Sequence, residues 1–222
     1  MKILRESQYN YLESHKRLNR NIFLALLIGG ILLCPVKPQL FILSLLLSAA
    51  SVWFLRQYFL WEAGIKGEKE VVAALKQLDD SYLLLNDIKL PSKQGNIDHI
   101  LLSPKGVFVI ETKNYSGAVS CYQDEWYRES RKEAKPIGSV SKQVKRNALE
   151  LRNFLRETAK VNIYVNPVCV FTNPSIELTL YQPTVPILQL AELTTFFDQV
   201  KPSISITKQE LQIIAQSILK IP

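Results

Sequence analysis

The sequence predicts an α/β fold of order α-β-β-β-α-β preceded by a transmembrane helical hairpin. Three observations predict it. Two apolar runs with almost no charge lie between Ile22 and Leu60. The chain beyond them, about 160 residues, has the composition of a soluble domain long enough to bury its own core. Within that part, segments with apolar residues three and four apart alternate with short β-rich runs.

The two apolar runs are "NIFLALLIGGILLCPV" (21–36) and "LFILSLLLSAASVWFL" (40–55), separated by Lys37-Pro38-Gln39. Each uncharged core is about 16 residues, and snorkelling Arg56 with interfacial Trp53, Tyr58 and Trp61 extends them toward the ~20 needed to cross hydrocarbon. A cleaved signal peptide is disfavoured, because the first run begins after twenty polar residues and a second run follows at once. Basic residues flank the pair on the outside: Lys2, Arg5, Lys16, Arg17 and Arg20 before it, Arg56, Lys66 and Lys69 after it, and only Lys37 between. The positive-inside bias then puts both termini and the soluble domain in the cytoplasm of a two-span, multi-pass cell-membrane protein. The expected organisation is a basic segment over 1–20, two spans over 21–60 that meet the lipid bilayer, and a soluble domain over 61–222.

Charge and cysteine content exclude some classes. Of the net charge of +7, +5 falls in residues 1–60 and only +2 in the rest, so the basic balance alone is no signature of nucleic-acid binding. Cys34, Cys121 and Cys169 lie far apart, and with two histidines in the chain neither a disulfide framework nor a thiolate–imidazole metal cluster is expected.

In the soluble part, "GIKGEKEVVAALKQL" (64–78) predicts a helix, with Val71, Val72, Leu75 and Leu78 on one face and Glu68 on that same face. "SYLLLNDIKL" (81–90), "NIDHILL" (96–102) and "VFVIETK" (107–113) predict three strands, the last two joined by the turn sequence "SPKG". A further strand or two is expected within 118–130. Val140, Val144, Ala148, Leu151 and Leu155 make a helical stripe over about 139–157. "NIYVNPVCVFTN" (162–173) and "TVPILQL" (184–190) predict strands, and 193–200 and 207–220 closing helices.

The strand 107–113 ends on two charges one residue apart. In a strand, Glu111 and Lys113 share a face and Thr112 points the other way. A turn centred between Pro104 and Lys105 pairs Leu102 with Val107 and sets Asp98 against Glu111. Like charges so placed repel and ask for a counter-charge, for which hard Mg²⁺ is the natural candidate. The same turn sequence also suits a type I turn with Gly106 in a bulge, which sets Asp98 against Thr112 instead. On the following helix, Gln143 falls on the flank of the apolar stripe beside Asn147, where a polar side chain can reach a cleft. His99 alternates away from Asp98 and is expected to be packed; Trp126 and Tyr127 are expected as core or sheet-face aromatics.

Asp98 followed by Glu111-x-Lys113 at the end of an apolar strand resembles the PD-(D/E)XK nuclease superfamily. More narrowly, "GEKEV" (67–71), "NIDHILL" (96–102), "GVFVIETKNYSG" (106–117), "EWY" (125–127), "SKQVKRNALELRNFL" (141–155) and "VFTN" (170–173) resemble the nuclease-related (NERD) domain over roughly 64–175. The resemblance implies a restriction-endonuclease-like α/β core and a Mg²⁺-dependent phosphodiester hydrolase, with Mn²⁺ as a substitute metal. It implies Asp98 and Glu111 as metal ligands with the Thr112 carbonyl as a third, Lys113 as catalytic lysine, Glu68 as a supporting helix carboxylate, and Gln143 as a polar helix residue at the site. Where the family commonly shows Asn-Pro-x-x-Gln, this chain has Ser139-Val140-Ser141-Lys142-Gln143. Residues 128–160 hold ten Lys/Arg against four acids. Lys142, Lys145, Arg146 and Arg152 on the helix that carries Gln143 are therefore the expected contacts to nucleic acid, DNA first. The competing expectation is a non-catalytic nucleic-acid- or protein-binding module tethered to the membrane.

Overall fold

The computed structural model describes residues 1–7, 9–33, 40–91, 95–131, 133–202 and 205–221. The chain divides into two units, one of residues 8–66 and one of residues 1–7 with 67–222.

The second unit is built on a mixed six-stranded sheet. In chain order its strands are β1 (Lys2–Arg5), β2 (Leu83–Ile88), β3 (Ile97–Ser103), β4 (Gly106–Lys113), β8 (Val165–Phe171) and β10 (Ile187–Gln189), hydrogen-bonded in the order β1-β2-β3-β4-β8-β10. A smaller sheet of β5 (Gly117–Tyr122), β6 (Glu125–Glu129), β7 (Ala134–Ile137) and β9 (Ile176–Tyr181) has the order β7-β6-β5-β9. The helices are α1 (Asn10–Leu33), α2 (Phe41–Leu75), α3 (Val140–Thr158), α4 (Leu193–Gln199) and α5 (Lys208–Leu219).

The alternation of each strand splits the large sheet into two apolar faces. Leu85, Ile100, Leu102, Val107, Val109, Cys169 and Phe171 pack on one side with Val140, Val144, Ala148, Leu151 and Leu155 of α3. Leu84, Leu101, Phe108, Ile110, Val168 and Val170 pack on the other with Val71, Val72 and Leu75 of α2 and Phe197 of α4. Strands covered on both faces read as continuous apolar runs, which is why β4 opens with four buried hydrophobics in a row. Trp126 of the small sheet is buried and donates its indole N–H to Ser141 Oγ at 3.0 Å, fastening that sheet to the first turn of α3.

The β3–β4 hairpin takes the tight register. Ser103 pairs Gly106, Leu102 pairs Val107 and His99 pairs Ile110, leaving Pro104 and Lys105 as a two-residue loop. Gly106 sits at φ +151, and a Cβ there would meet Asn166 Nδ2 at 3.1 Å, so glycine suits both the backbone and the space.

Three expectations need correcting. The helix expected over 64–78 is not a separate element: it is the C-terminal end of α2, which continues from the apolar run without a break and stops at Leu75. Residues 1–5 are not merely a basic lead-in, because Lys2–Arg5 add to the sheet as β1, parallel to β2. The pair of spans over 21–36 and 40–55 reduces, among the described residues, to one helix long and apolar enough to cross a membrane, α2. The physical reason lies in α1. It begins at Asn10 and includes the polar stretch to Asn21, and its apolar part from Ile22 to Leu33 is ~18 Å long against a hydrocarbon core of ~30 Å. Cys34 and the expected turn at Lys37-Pro38-Gln39 lie outside the described residues.

Within the first unit, α1 and α2 meet through small residues. Ser44 Oγ donates to the Gly30 carbonyl at 2.6 Å, and a Cβ on Gly30 would sit 2.8 Å from Ser48 Oγ. Lys16 pairs with Glu62 at 3.1 Å, and His15 stacks on Trp61.

Candidate functional site

Where β4 runs past the end of its ladder with β3, the Thr112 N–H has lost its strand partner. Asp98 supplies one: its Oδ2 accepts that N–H at 2.8 Å. This fixes the Asp98 carboxylate beside the face from which Glu111 and Lys113 project. Thr112 turns the other way, with its Oγ1 buried and, among the described residues, without a hydrogen-bond partner.

Glu111 is 2% exposed, and both its oxygens are engaged. Oε1 accepts from Lys113 Nζ at 2.6 Å and from Gln143 Nε2 at 2.6 Å. Oε2 accepts from Asn147 Nδ2 at 3.1 Å. Gln143 and Asn147 lie four residues apart on α3, so one turn brings both amides to the same carboxylate. That turn is held by Ser139, whose side chain accepts from Lys142 N at 3.1 Å as the N-cap. Ser139 thus satisfies one of the free N–H groups at the start of α3.

Glu68 reaches the same region from α2. The preceding residue must be small: a Cβ on Gly67 would lie 2.8 Å from Thr172 Oγ1, 3.3 Å from Asn114 Cβ and 3.5 Å from Thr112 Cγ2. Gly67 therefore lets the helix close onto the ends of β4 and β8 and sets the height of Glu68 above them.

The electrostatics follow from packing acids together. Burial pushes the Glu68 carboxyl up to about 7, with help from Asp87 and Glu111 and some opposition from Lys113. Burial, then the charges of Glu111 and Glu68, push Asp98 well above the usual carboxylate range against the pull of the Thr112 N–H and Lys113. Burial works against a charged Lys113, but the charge and hydrogen bond of Glu111, with Asp98, outweigh it and hold its ammonium above the ordinary lysine value. Asp98 and Glu111 on neighbouring strands, with Glu68 nearby, are hard oxygen donors, the chemical type that a divalent cation takes. Among the described residues no three His, Cys, Asp or Glu side chains are gathered so as to hold a metal ion.

The structure thus brings Glu68, Asp98, Glu111, Lys113 and Gln143 together. The basic residues of α3 are less uniform. Lys142 and Arg146 are exposed, whereas Lys145 is ion-paired with Asp124 at 2.7 Å and Arg152 donates to Asn162 at 3.3 Å. His99 lies on the opposite face: fully buried, depressed to about 3 by that burial, with Nδ1 2.8 Å from Asn86 Oδ1. Two residues near the site carry only weak signals in the sequence. Asn147 is an amide in the stripe of α3, beside Gln143. Asp87 was one of two polar residues breaking an apolar strand; it sits at φ +55, in the gap between the pairs Asn86–His99 and Ile88–Ile97.

Residues 63–172 match the nuclease-related domain family, NERD. An uncharacterized protein of Bacillus anthracis is 45% identical over 58 residues, 24% of this chain, and the chain spans about a quarter of that relative (27%). No solved structure matches. The matched stretch takes in Glu68, Asp98, Glu111, Lys113 and Gln143, and the chain therefore carries a nuclease-related domain over residues 63–172.

Proposed function

We propose that the domain is a metal-dependent phosphodiester hydrolase acting on nucleic acid, DNA first, at the Asp98–Glu111–Lys113 centre. The observation that carries this reading is the pairing of a strand-end carboxylate, Asp98, with a buried one, Glu111, around a charged lysine. Asp98, Glu111 and the Thr112 carbonyl would hold Mg²⁺, or Mn²⁺ in its place. When bound, such an ion polarises a phosphoryl oxygen and makes a water more acidic. Lys113, held protonated, donates to the charge that develops on phosphate oxygens. Glu68, poised near neutral pH, takes or returns a proton there. Gln143 holds the orientation of Glu111. Exposed Lys142 and Arg146 offer contacts to the phosphate backbone, with Lys145 and Arg152 contributing once released from their present partners.

Attachment to a lipid bilayer belongs to the same proposal. In its support, α2 exposes Phe41, Ile42, Leu43, Leu45, Leu46, Val52 and Trp53 while burying Ser44 and Ser51. Only 11% of its most apolar stretch is buried, the reverse of a soluble core helix. The basic residues that flank the apolar region, Lys16, Arg17 and Arg20 before it and Arg56, Lys66 and Lys69 after it, support a cytoplasmic position for the domain.

A second reading has one observation in its favour: the Lys113 cation and two amides already satisfy Glu111 without an ion. A non-catalytic nucleic-acid- or protein-binding module is compatible with that. The test is cleavage of plasmid and of short single strands with Mg²⁺, with Mn²⁺ and with chelator, beside Asp98→Ala and Lys113→Ala. Metal-dependent cleavage lost in both variants supports the hydrolase. Nucleic-acid binding without cleavage supports the module.

A further inference from the structure

Asn147 is buried to 1% exposure on the apolar face of α3, with Val144, Ala148 and Leu151 as its buried neighbours. One end of its amide is used: Nδ2 donates to Glu111 Oε2 at 3.1 Å. The other end, Oδ1, is buried with no hydrogen-bond partner among the described residues. An unpaired buried acceptor weakens a core, and an apolar side chain would suit the stripe better. A residue that weakens the core at the point where it touches the most buried acid of the site has a role at that site.

The geometry of the contact says which role. Gln143 and Lys113 both act on Oε1; Asn147 alone, among the described residues, acts on Oε2. With one oxygen held, a carboxylate still rotates about its Cγ–Cδ bond. With both held from the same helix, its plane is fixed. Groups behind a metal ligand set its orientation in this way, and losing one typically weakens metal binding about 10–100-fold.

We propose that Asn147 is the positioning residue that locks the plane of the Glu111 carboxylate for a divalent cation, a role it shares with no other side chain on Oε2 among the described residues. This rests on the reading of Glu111 as a metal ligand. Asn147 itself touches neither ion nor substrate, and it acts only through Glu111.

The experiment is calorimetric titration of Mn²⁺ into the full-length protein in detergent, alongside Asn147→Leu, Asn147→Ala and Asp98→Asn, with a thermal melt of each. Asn147→Leu keeps the branching and heavy-atom count and removes the unpaired oxygen, but it is bulkier and takes the donor from Oε2, so it is expected to melt cooperatively with a Tm somewhat below wild type. The expected result is a Kd for Mn²⁺ raised about 10–100-fold in Asn147→Leu and Asn147→Ala, with binding lost in Asp98→Asn. An unchanged Kd in either folded Asn147 variant overturns the proposal while leaving the metal reading intact. Loss of cooperative melting in both variants overturns it too, because Asn147 would then be a core residue. Wild type that binds no Mn²⁺, and is indifferent to Asp98→Asn, overturns the metal reading beneath it and the proposal with it.

Discussion

Lys113 closes on Glu111 at 2.6 Å, with the carboxylate 2% and the lysine side chain 20% exposed. Removing the lysine leaves a buried anion with only two amides to hold it. Lys113→Met is therefore expected to destabilise the protein by about 3 kcal/mol, and Lys113→Met with Glu111→Gln to recover most of that loss. Urea denaturation of the two variants and wild type at pH 7 checks it.

Asp98 suffers the opposite problem, too much like charge. Asp98→Asn keeps an oxygen to accept the Thr112 N–H and removes repulsion from Glu111 and Glu68. In chelator the variant is expected to be more stable than wild type by ~1 kcal/mol, a common trade between stability and function. Added Mg²⁺ is expected to raise the Tm of wild type and leave that of the variant unchanged.

Glu68 gives a pH dependence of definite sign. Its folded value of about 7 lies above the ordinary 4.5, so the folded state holds the proton more tightly. Its ionisation weakens the fold progressively as pH rises from about 4.5 to about 7, and no further above that. Glu68→Gln lacks this loss. Denaturation midpoints of the two proteins are expected to converge near pH 4.5 and to separate in favour of the variant by pH 8.

His99 acts in the other direction. Burial holds it near 3 in the folded protein against 6.5 when free, so the unfolded chain takes the proton first. Its contribution is intact above pH 6.5 and declines as pH falls toward 3, by up to about 1.4 kcal/mol per pH unit. His99→Gln is expected to flatten the acid limb of a stability–pH curve measured from pH 7 to 4.

Gly67 is the steric test. Alanine ordinarily favours a helix by about 1 kcal/mol over glycine, but here its Cβ would press on the buried Thr172 hydroxyl at 2.8 Å. Gly67→Ala is expected to lower the Tm, and Thr172→Ala in the same chain to restore it.

What the sequence made legible is the part governed by local rules. Strands β3 and β4 and the stripe of α3 follow from periodicity. The face shared by Glu111 and Lys113 follows from the pleat alone. Of the two registers the turn sequence allows, the structure takes the tight one, with Pro104 and Lys105 as a two-residue loop and Gly106 at φ +151. What escaped depends on distant partners. Lys2–Arg5 become a strand only because β2 offers them an edge, and β9 only because β5 does, although Ile176, Leu178 and Leu180 alternate as a strand should. The continuity of α2 is hidden by a change from apolar to charged composition near Glu62, which leaves the helix unbroken. Asn147 acquires its meaning only from Glu111, thirty-six positions earlier.

The most direct test of the account is a crystal of the protein grown with Mn²⁺, read by anomalous scattering. The account predicts a peak bonded to the carboxylates of Asp98 and Glu111, with Lys113 Nζ displaced from its 2.6 Å contact with Glu111. A fully occupied Mn²⁺ elsewhere, with the Lys113–Glu111 contact intact and Asp98 turned away, would contradict it.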